Sequence, residues 1–176
     1  MNQIEDFVGN TLTWVQKEAL QRFYELQFDG EMVATLRFQT CFGSLADAEA
    51  VGARWTIKRE GFLTPRITAR VFGSDANVAV FYPSLGGGGE VVLAGGARYL
   101  WKCTSFWRSE WSFLSNENAP LLQFHRNGFV RMSSQLRVMK ACPATTLLAL
   151  LGWYLVVVTS EDVAATIAPM AALCAV

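Results

Sequence analysis

Residues 147–158 read LLALLGWYLVVV, and no other stretch of the chain is as apolar. Leucine and alanine dominate its first half and both form helix readily. The run follows Pro143-Ala144-Thr145-Thr146. There a proline breaks what precedes, and Thr145 or Thr146 is placed to cap the first free N–H groups. Apolar residues cover every face of the run rather than one stripe, as in a fully buried helix or a membrane span. Twelve residues make roughly 18 Å of helix, whereas a bilayer core takes about 20 apolar residues. Glu161 and Asp162 follow directly, and two carboxylates are costly in lipid. The reading adopted is a core helix over about 146–160. The alternatives are a tail anchor or hairpin insertion, and a buried strand favoured by the β-branched Val156-Val157-Val158.

Ahead of this segment lie short runs that alternate apolar and polar residues, broken by turn residues. Thr11 to Gln16 is a first strand. Leu20 to Phe28 and Glu31 to Gln39 flank Asp29-Gly30, the pair that a type I′ hairpin turn favours. Met32, Ala34, Leu36 and Phe38 alternate with polar or smaller residues, and a period of two sends that set inward. Cys41 to Val51 reads as a loop with helical turns at Ala46-Asp47-Ala48-Glu49. Further alternation covers 53–58, 66–71, 77–82, 91–93, 98–103, 121–126 and 130–139, with turns at Glu60-Gly61, Gly73-Ser74-Asp75, Gly95-Gly96, Asn116-Glu117-Asn118 and Asn127-Gly128. Eleven or twelve strands joined by hairpins result, and such a sheet closes or splits in two because open edges invite aggregation.

The chain of 176 residues suffices for one domain with a sizeable core. Formal charge is zero overall but uneven: residues 1–50 hold three basic and eight acidic side chains, residues 51–142 twelve and five. On the predicted β hairpin 53–71, Lys58, Arg66 and Arg70 share the outer face, opposite Trp55, Ile57, Ile67, Ala69 and Val71. That basic face suits an anionic surface or is an ordinary solvated exterior. The first residues, Met1 to Asp6, are acidic and have no apolar core, so no secretory signal is expected. Residues 1–9 and 169–176 are expected to be loosely held.

Catalytic and metal chemistry find little support. Cys41, Cys103, Cys142 and Cys174 are far apart in sequence, so neither a zinc nor a redox motif is expected, and reduced, mostly buried thiols are. His125 is the one histidine, and the alternation places it outward. Glu90, Glu110 and Glu117 sit at strand ends or turns. Four glycines at 86–89 are followed by a strand, not by the helix that a phosphate-cradling loop needs, so a hairpin loop is expected there. Trp107-Arg108-Ser109-Glu110-Trp111 is the densest polar–aromatic stretch and reads as a barrel strand, the alternative being a ligand- or membrane-contacting surface. No catalytic, metal or cofactor site is assigned.

Five segments carry a resemblance: Trp14 to Leu20, Trp55 to Arg59, Tyr99 to Trp101, Phe106 to Trp111, and Leu147 to Val158. Together they resemble the tubby C-terminal-like superfamily, near its LURP-one-related and phospholipid-scramblase-like branches. The resemblance implies a closed antiparallel barrel of about twelve strands around a central hydrophobic C-terminal helix, one domain over 1–176. It also implies membrane-associated binding, of phosphoinositide headgroups in the tubby branch, although no binding motif of the family maps onto this chain. The expected function is that of a non-enzymatic binding protein contacting anionic phospholipid headgroups, with Lys58, Arg66 and Arg70 as contacts, or a protein partner. Nucleic acid and cofactors are not expected, and the expected location is cytoplasmic, peripheral to a membrane. The alternative is an enzyme or small-ligand carrier with an open interior.

Overall fold

The structure, a computed structural model, describes residues 3–18, 21–61, 64–105, 109–127 and 132–173, with side chains up to residue 165. Twelve strands alternate direction around a closed barrel. They are β1 (Thr11–Gln16), β2 (Phe23–Phe28), β3 (Glu31–Phe38), β4 (Ala46–Ala50), β5 (Ala53–Glu60), β6 (Arg66–Val71), β7 (Asn77–Pro83), β8 (Gly89–Leu93), β9 (Arg98–Cys103), β10 (Glu110–Leu114), β11 (Pro120–Asn127) and β12 (Ser133–Val138). Each strand pairs with its sequence neighbours, and β1 pairs antiparallel with β12, Thr11 opposite Arg137 and Val15 opposite Ser133. Closure leaves no unpaired edge. The first hairpin turns on Asp29 and Gly30, both at positive φ, 49° and 82°, as a type I′ turn requires.

Two readings of the strand pattern need correction. Residues 46–49 are not helical turns but part of β4, whose Ala46 and Ala48 are fully buried. Alanine favours helix in isolation, but here β3 and β5 flank the segment on both sides, and that ladder overrides local propensity. Met32 is half exposed while Val33 is buried. The β2–β3 register shifts by one residue at Leu26/Gln27, and a bulge of that kind exchanges the two faces. Phe62, Leu63, Trp107 and Gly128 lie outside the described residues.

The helix α1 (Thr145–Leu173) is 29 residues long, well beyond the expected 146–160. All twelve residues from 147 to 158 are buried, and the inward strand faces supply their surroundings. On one side Trp153 stacks on Trp14 at 5.7 Å and meets the edge of Tyr24 at 5.4 Å, while Tyr154 stacks on Phe38 at 5.3 Å. On another, Trp101, Trp111, Phe113 and Phe124 pack together. The apolar stretch 145–165 has the length and composition of a membrane span, yet about two thirds of it (67%) is buried within the barrel.

Gly152 lets the helix approach the second aromatic group. A Cβ there would lie 2.4 Å from Cζ and 2.7 Å from Cε2 of Phe124, and 3.0 Å from Cε2 of Phe113. Gly152→Ala gains about 1 kcal/mol of helix propensity, against about 1–3 kcal/mol for overpacking a filled core. Both rings are buried, Phe124 at 1% and Phe113 at 0% exposure, so the clash wins and net destabilisation is expected in a urea melt. A variant more stable than wild type would mean that the rings have room to yield.

The end of the barrel where α1 begins is closed by a 3-10 turn, Ile4–Phe7. Ile4 and Phe7 are buried, so residues 3–7 are packed rather than loosely held. The turn also supplies the helix cap. The Glu5 carboxylate accepts hydrogen bonds from the Thr146 N–H at 3.1 Å and the Thr146 hydroxyl at 2.8 Å. Thr145 does not cap the helix; its Oγ1 accepts from the Cys142 N–H at 2.8 Å. A carboxylate at a helix N-terminus also suits the helix dipole.

Candidate functional site

Because all neighbouring strands are antiparallel, the connections alternate between two ends. Those joining β1–β2, β3–β4, β5–β6, β7–β8, β9–β10 and β11–β12 lie at the end where α1 emerges. At that exit three consecutive helix residues are each held by an arginine of the shell. The Ser160 hydroxyl accepts from Arg126 at 2.7 Å. The Glu161 carboxylate accepts from Arg22 at 2.6 Å. Asp162 accepts two bonds from Arg59, one of them at 3.1 Å from Nη1. Successive helical residues point about 100° apart, which is why the three arginines come from three separate sectors of the barrel.

Arg22 also ties the β3–β4 connection to this exit. Its guanidinium donates to the Thr40 carbonyl at 3.1 Å and the Gly43 carbonyl at 2.6 Å, and lies over the Phe38 ring, 3.7 Å from its centroid. Tyr154 donates from its hydroxyl to the Ser44 carbonyl at 2.6 Å, and burial pushes its pKa upward. Burial also pushes the Glu161 carboxyl above its ordinary range. Arg22 pulls the other way without cancelling that shift, because partial removal from water penalises the charged form. A cleft beside the exit is lined by Phe42, Gly43, Ser44, Val158, Asp162 and Ala165, among others.

Of the sequence-derived contacts, Lys58 and Arg66 lie toward this exit and Arg70 toward the far end of the same hairpin. Lys58 pairs with Thr68 across β5–β6, Glu60 with Arg66 and Thr56 with Arg70. Lys58, Arg66 and Arg70 therefore share the outer face of one hairpin, and Ile57, Ile67 and Ala69 are buried on the inner one. Trp55 is half-buried and Val71 exposed where the hairpin reaches the far end. Glu60 stands among the cations, 2.8 Å from Arg70 and 3.8 Å from Arg66. Arg70 also donates to the Asn77 side chain at 2.7 Å. Lys58 is exposed and makes no ion pair among the described residues. Three cations and one carboxylate leave this face net positive by two.

Elsewhere the chemistry is sparse. His125 is exposed on β11 with Nδ1 3.3 Å from Glu110. Cys41 is exposed and Cys103 and Cys142 are half-buried, all three free, so the thiols are less buried than expected. Among the described residues no three His, Cys, Asp or Glu side chains cluster as metal ligands would. The arginine collar escaped the sequence reading because its partners are 139, 103 and 34 residues apart. The one local hint was Glu161-Asp162 breaking an apolar run. No family model, curated protein or solved structure matches the chain.

Proposed function

We propose that this chain is a non-enzymatic binding protein of tubby-like layout that contacts anionic phospholipid headgroups through the outer face of the β5–β6 hairpin. The observation that carries the reading is the placement of Lys58, Arg66 and Arg70 on one net-positive face, with Lys58 and Arg66 toward the end where α1 leaves the barrel. A helix that fills the barrel supports binding at the outer surface over a ligand carried inside, since the twelve residues 147–158 are all buried against the shell. A cation near an anionic bilayer contributes about 1 kcal/mol, and salt screens it.

The triple variant Lys58→Gln/Arg66→Gln/Arg70→Gln is therefore expected to bind phosphatidylserine-containing vesicles more weakly at low salt, by about 1 kcal/mol per cation removed. Its melting temperature should change little. Vesicle co-sedimentation across a salt series measures this. A wild-type protein with no preference for anionic over neutral vesicles at low salt would remove the headgroup reading and leave a protein partner as the ligand.

A further inference from the structure

We propose that the exit end of the barrel is a membrane-insertion face: the part of α1 beyond the arginine collar enters one leaflet of a bilayer, and Phe42 and Leu85 seat in the same layer around it. This deepens the headgroup reading, since the basic hairpin face would then lie at the level of the lipid headgroups.

Charge along the helix is the first ground. From Thr145 to Ser160 it carries none, then come Glu161 and Asp162, and from Val163 to Leu173 it carries none again. The first uncharged stretch has the barrel as its apolar surroundings. Residues 161–165 are exposed one after another. Five helical residues turn through more than a full circle, so beyond the two arginine contacts at Glu161 and Asp162 no face of the helix is buried in the shell there. A helix that is apolar all round belongs in an apolar medium. The backbone from 163 continues as helix to Leu173, which pairs most of its polar groups internally, as lipid demands; Pro169 has no N–H to give the Ala165 carbonyl. Eleven residues reach roughly 16 Å, about half of a bilayer core of about 30 Å.

The rim is the second ground. Among the described residues Phe42 and Leu85 are the two large apolar side chains left fully in water, at 102% and 104% of reference exposure. Phe42 is in the β3–β4 connection and Leu85 in the β7–β8 connection, both at the exit end. In sequence the β5–β6, β9–β10 and β11–β12 connections carry Phe62-Leu63, Phe106-Trp107 and Phe129-Val130, which lie outside the described residues. Apolar residues at the opposite end are about half covered, such as Phe72 beneath Arg54. The connections there carry Asp29-Gly30, Ser74-Asp75 and Asn116-Glu117-Asn118. A protruding helix with separate apolar loop tips is a convex array, which suits a fluid apolar phase better than a partner's groove. The neighbouring Lys58 and Arg66 fit the anionic surface of that phase, and an apolar anchor paired with a basic patch is the combination that holds a protein stably on a membrane.

The test is vesicle flotation of the full chain, with phosphatidylcholine alone and with added phosphatidylserine, at low and high salt. Wild type is expected to float with phosphatidylcholine alone at high salt, because apolar insertion is not screened. Ile167→Asp/Leu173→Asp and, independently, Phe42→Asp/Leu85→Asp should each lower that salt-resistant binding by about tenfold or more, since a carboxylate is strongly disfavoured in the apolar layer. Both should melt as wild type does, and either pair decides if the other fails to fold. The triple glutamine variant of the hairpin should keep the salt-resistant binding and lose the anionic preference. Wild type that binds only anionic vesicles, and only at low salt, would overturn insertion while leaving the headgroup reading standing. Wild type that binds no vesicles, but forms an oligomer dispersed by Ile167→Asp/Leu173→Asp, would overturn both and identify the tail as a contact between copies.

Discussion

Leu150→Asp, and separately Leu151→Asp, is expected to leave no soluble, cooperatively folding barrel. Both leucines are at most 1% exposed and lie mid-way along the buried part of α1. An ionised carboxylate there has no cation within reach, because the collar arginines hold residues 160–162 more than two turns away. The group would instead take up a proton, and a neutral carboxyl buried without partners still costs several kcal/mol. Loss of the leucine side chain adds about 2–5 kcal/mol. Together these approach the total stability of a domain, about 5–15 kcal/mol. Leu150→Met is the matched control and should cost under about 1.5 kcal/mol. Expression followed by size exclusion and a thermal melt measures all three. Aspartate variants that stay soluble and melt near wild type would show that the helix is not the core of the fold.

Trp153→Ala is expected to destabilise the barrel by about 3–5 kcal/mol, the usual cost of deleting a buried tryptophan. Its ring is fully buried and is held between the Trp14 face and the Tyr24 ring, so no neighbour can readily move into the space. Trp153→Phe should cost distinctly less. It keeps a ring between the same partners, and the Trp153 Nε1–H it removes has no hydrogen-bond partner among the described residues. No bond is lost, and one buried donor that goes unsatisfied disappears. Urea denaturation of the two variants separates ring volume from the polar group. Equal losses would mean that the indole N–H matters more than the stacking.

The outcome for the outer hairpin shows how far local pattern reaches. Alternation placed Lys58, Arg66 and Arg70 on one face because β pairing of adjacent runs through a short turn is a local event. The coupling of Arg66 and Arg70 to Glu60 follows from the same register. Alternation failed where a bulge intervened, at Met32 and Val33, since a one-residue insertion exchanges the faces without a mark in composition. At Ala46–Ala50 local propensity misled instead: alanine and acidic residues favour a helical turn locally, whereas two flanking strands demand extended chain.

The sequence by itself determined an all-antiparallel shell and an apolar core helix, because both depend on periodicity and on hydropathy summed over a dozen neighbouring residues. Only the tertiary structure decided how that helix is held and where it stops being core. Its cap comes from Glu5, 141 residues away, and its exit is clasped by arginines from three distant places in the chain. Helix continuation past Glu161-Asp162 was equally hidden. Two carboxylates after an apolar run read as the end of burial, and the barrel does end there. The helix itself continues, because Arg22 and Arg59 neutralise the pair at the rim and backbone hydrogen bonding does not depend on burial. Whether a charged pair ends an element or only marks its emergence is set by long-range ion pairs, which no local window contains.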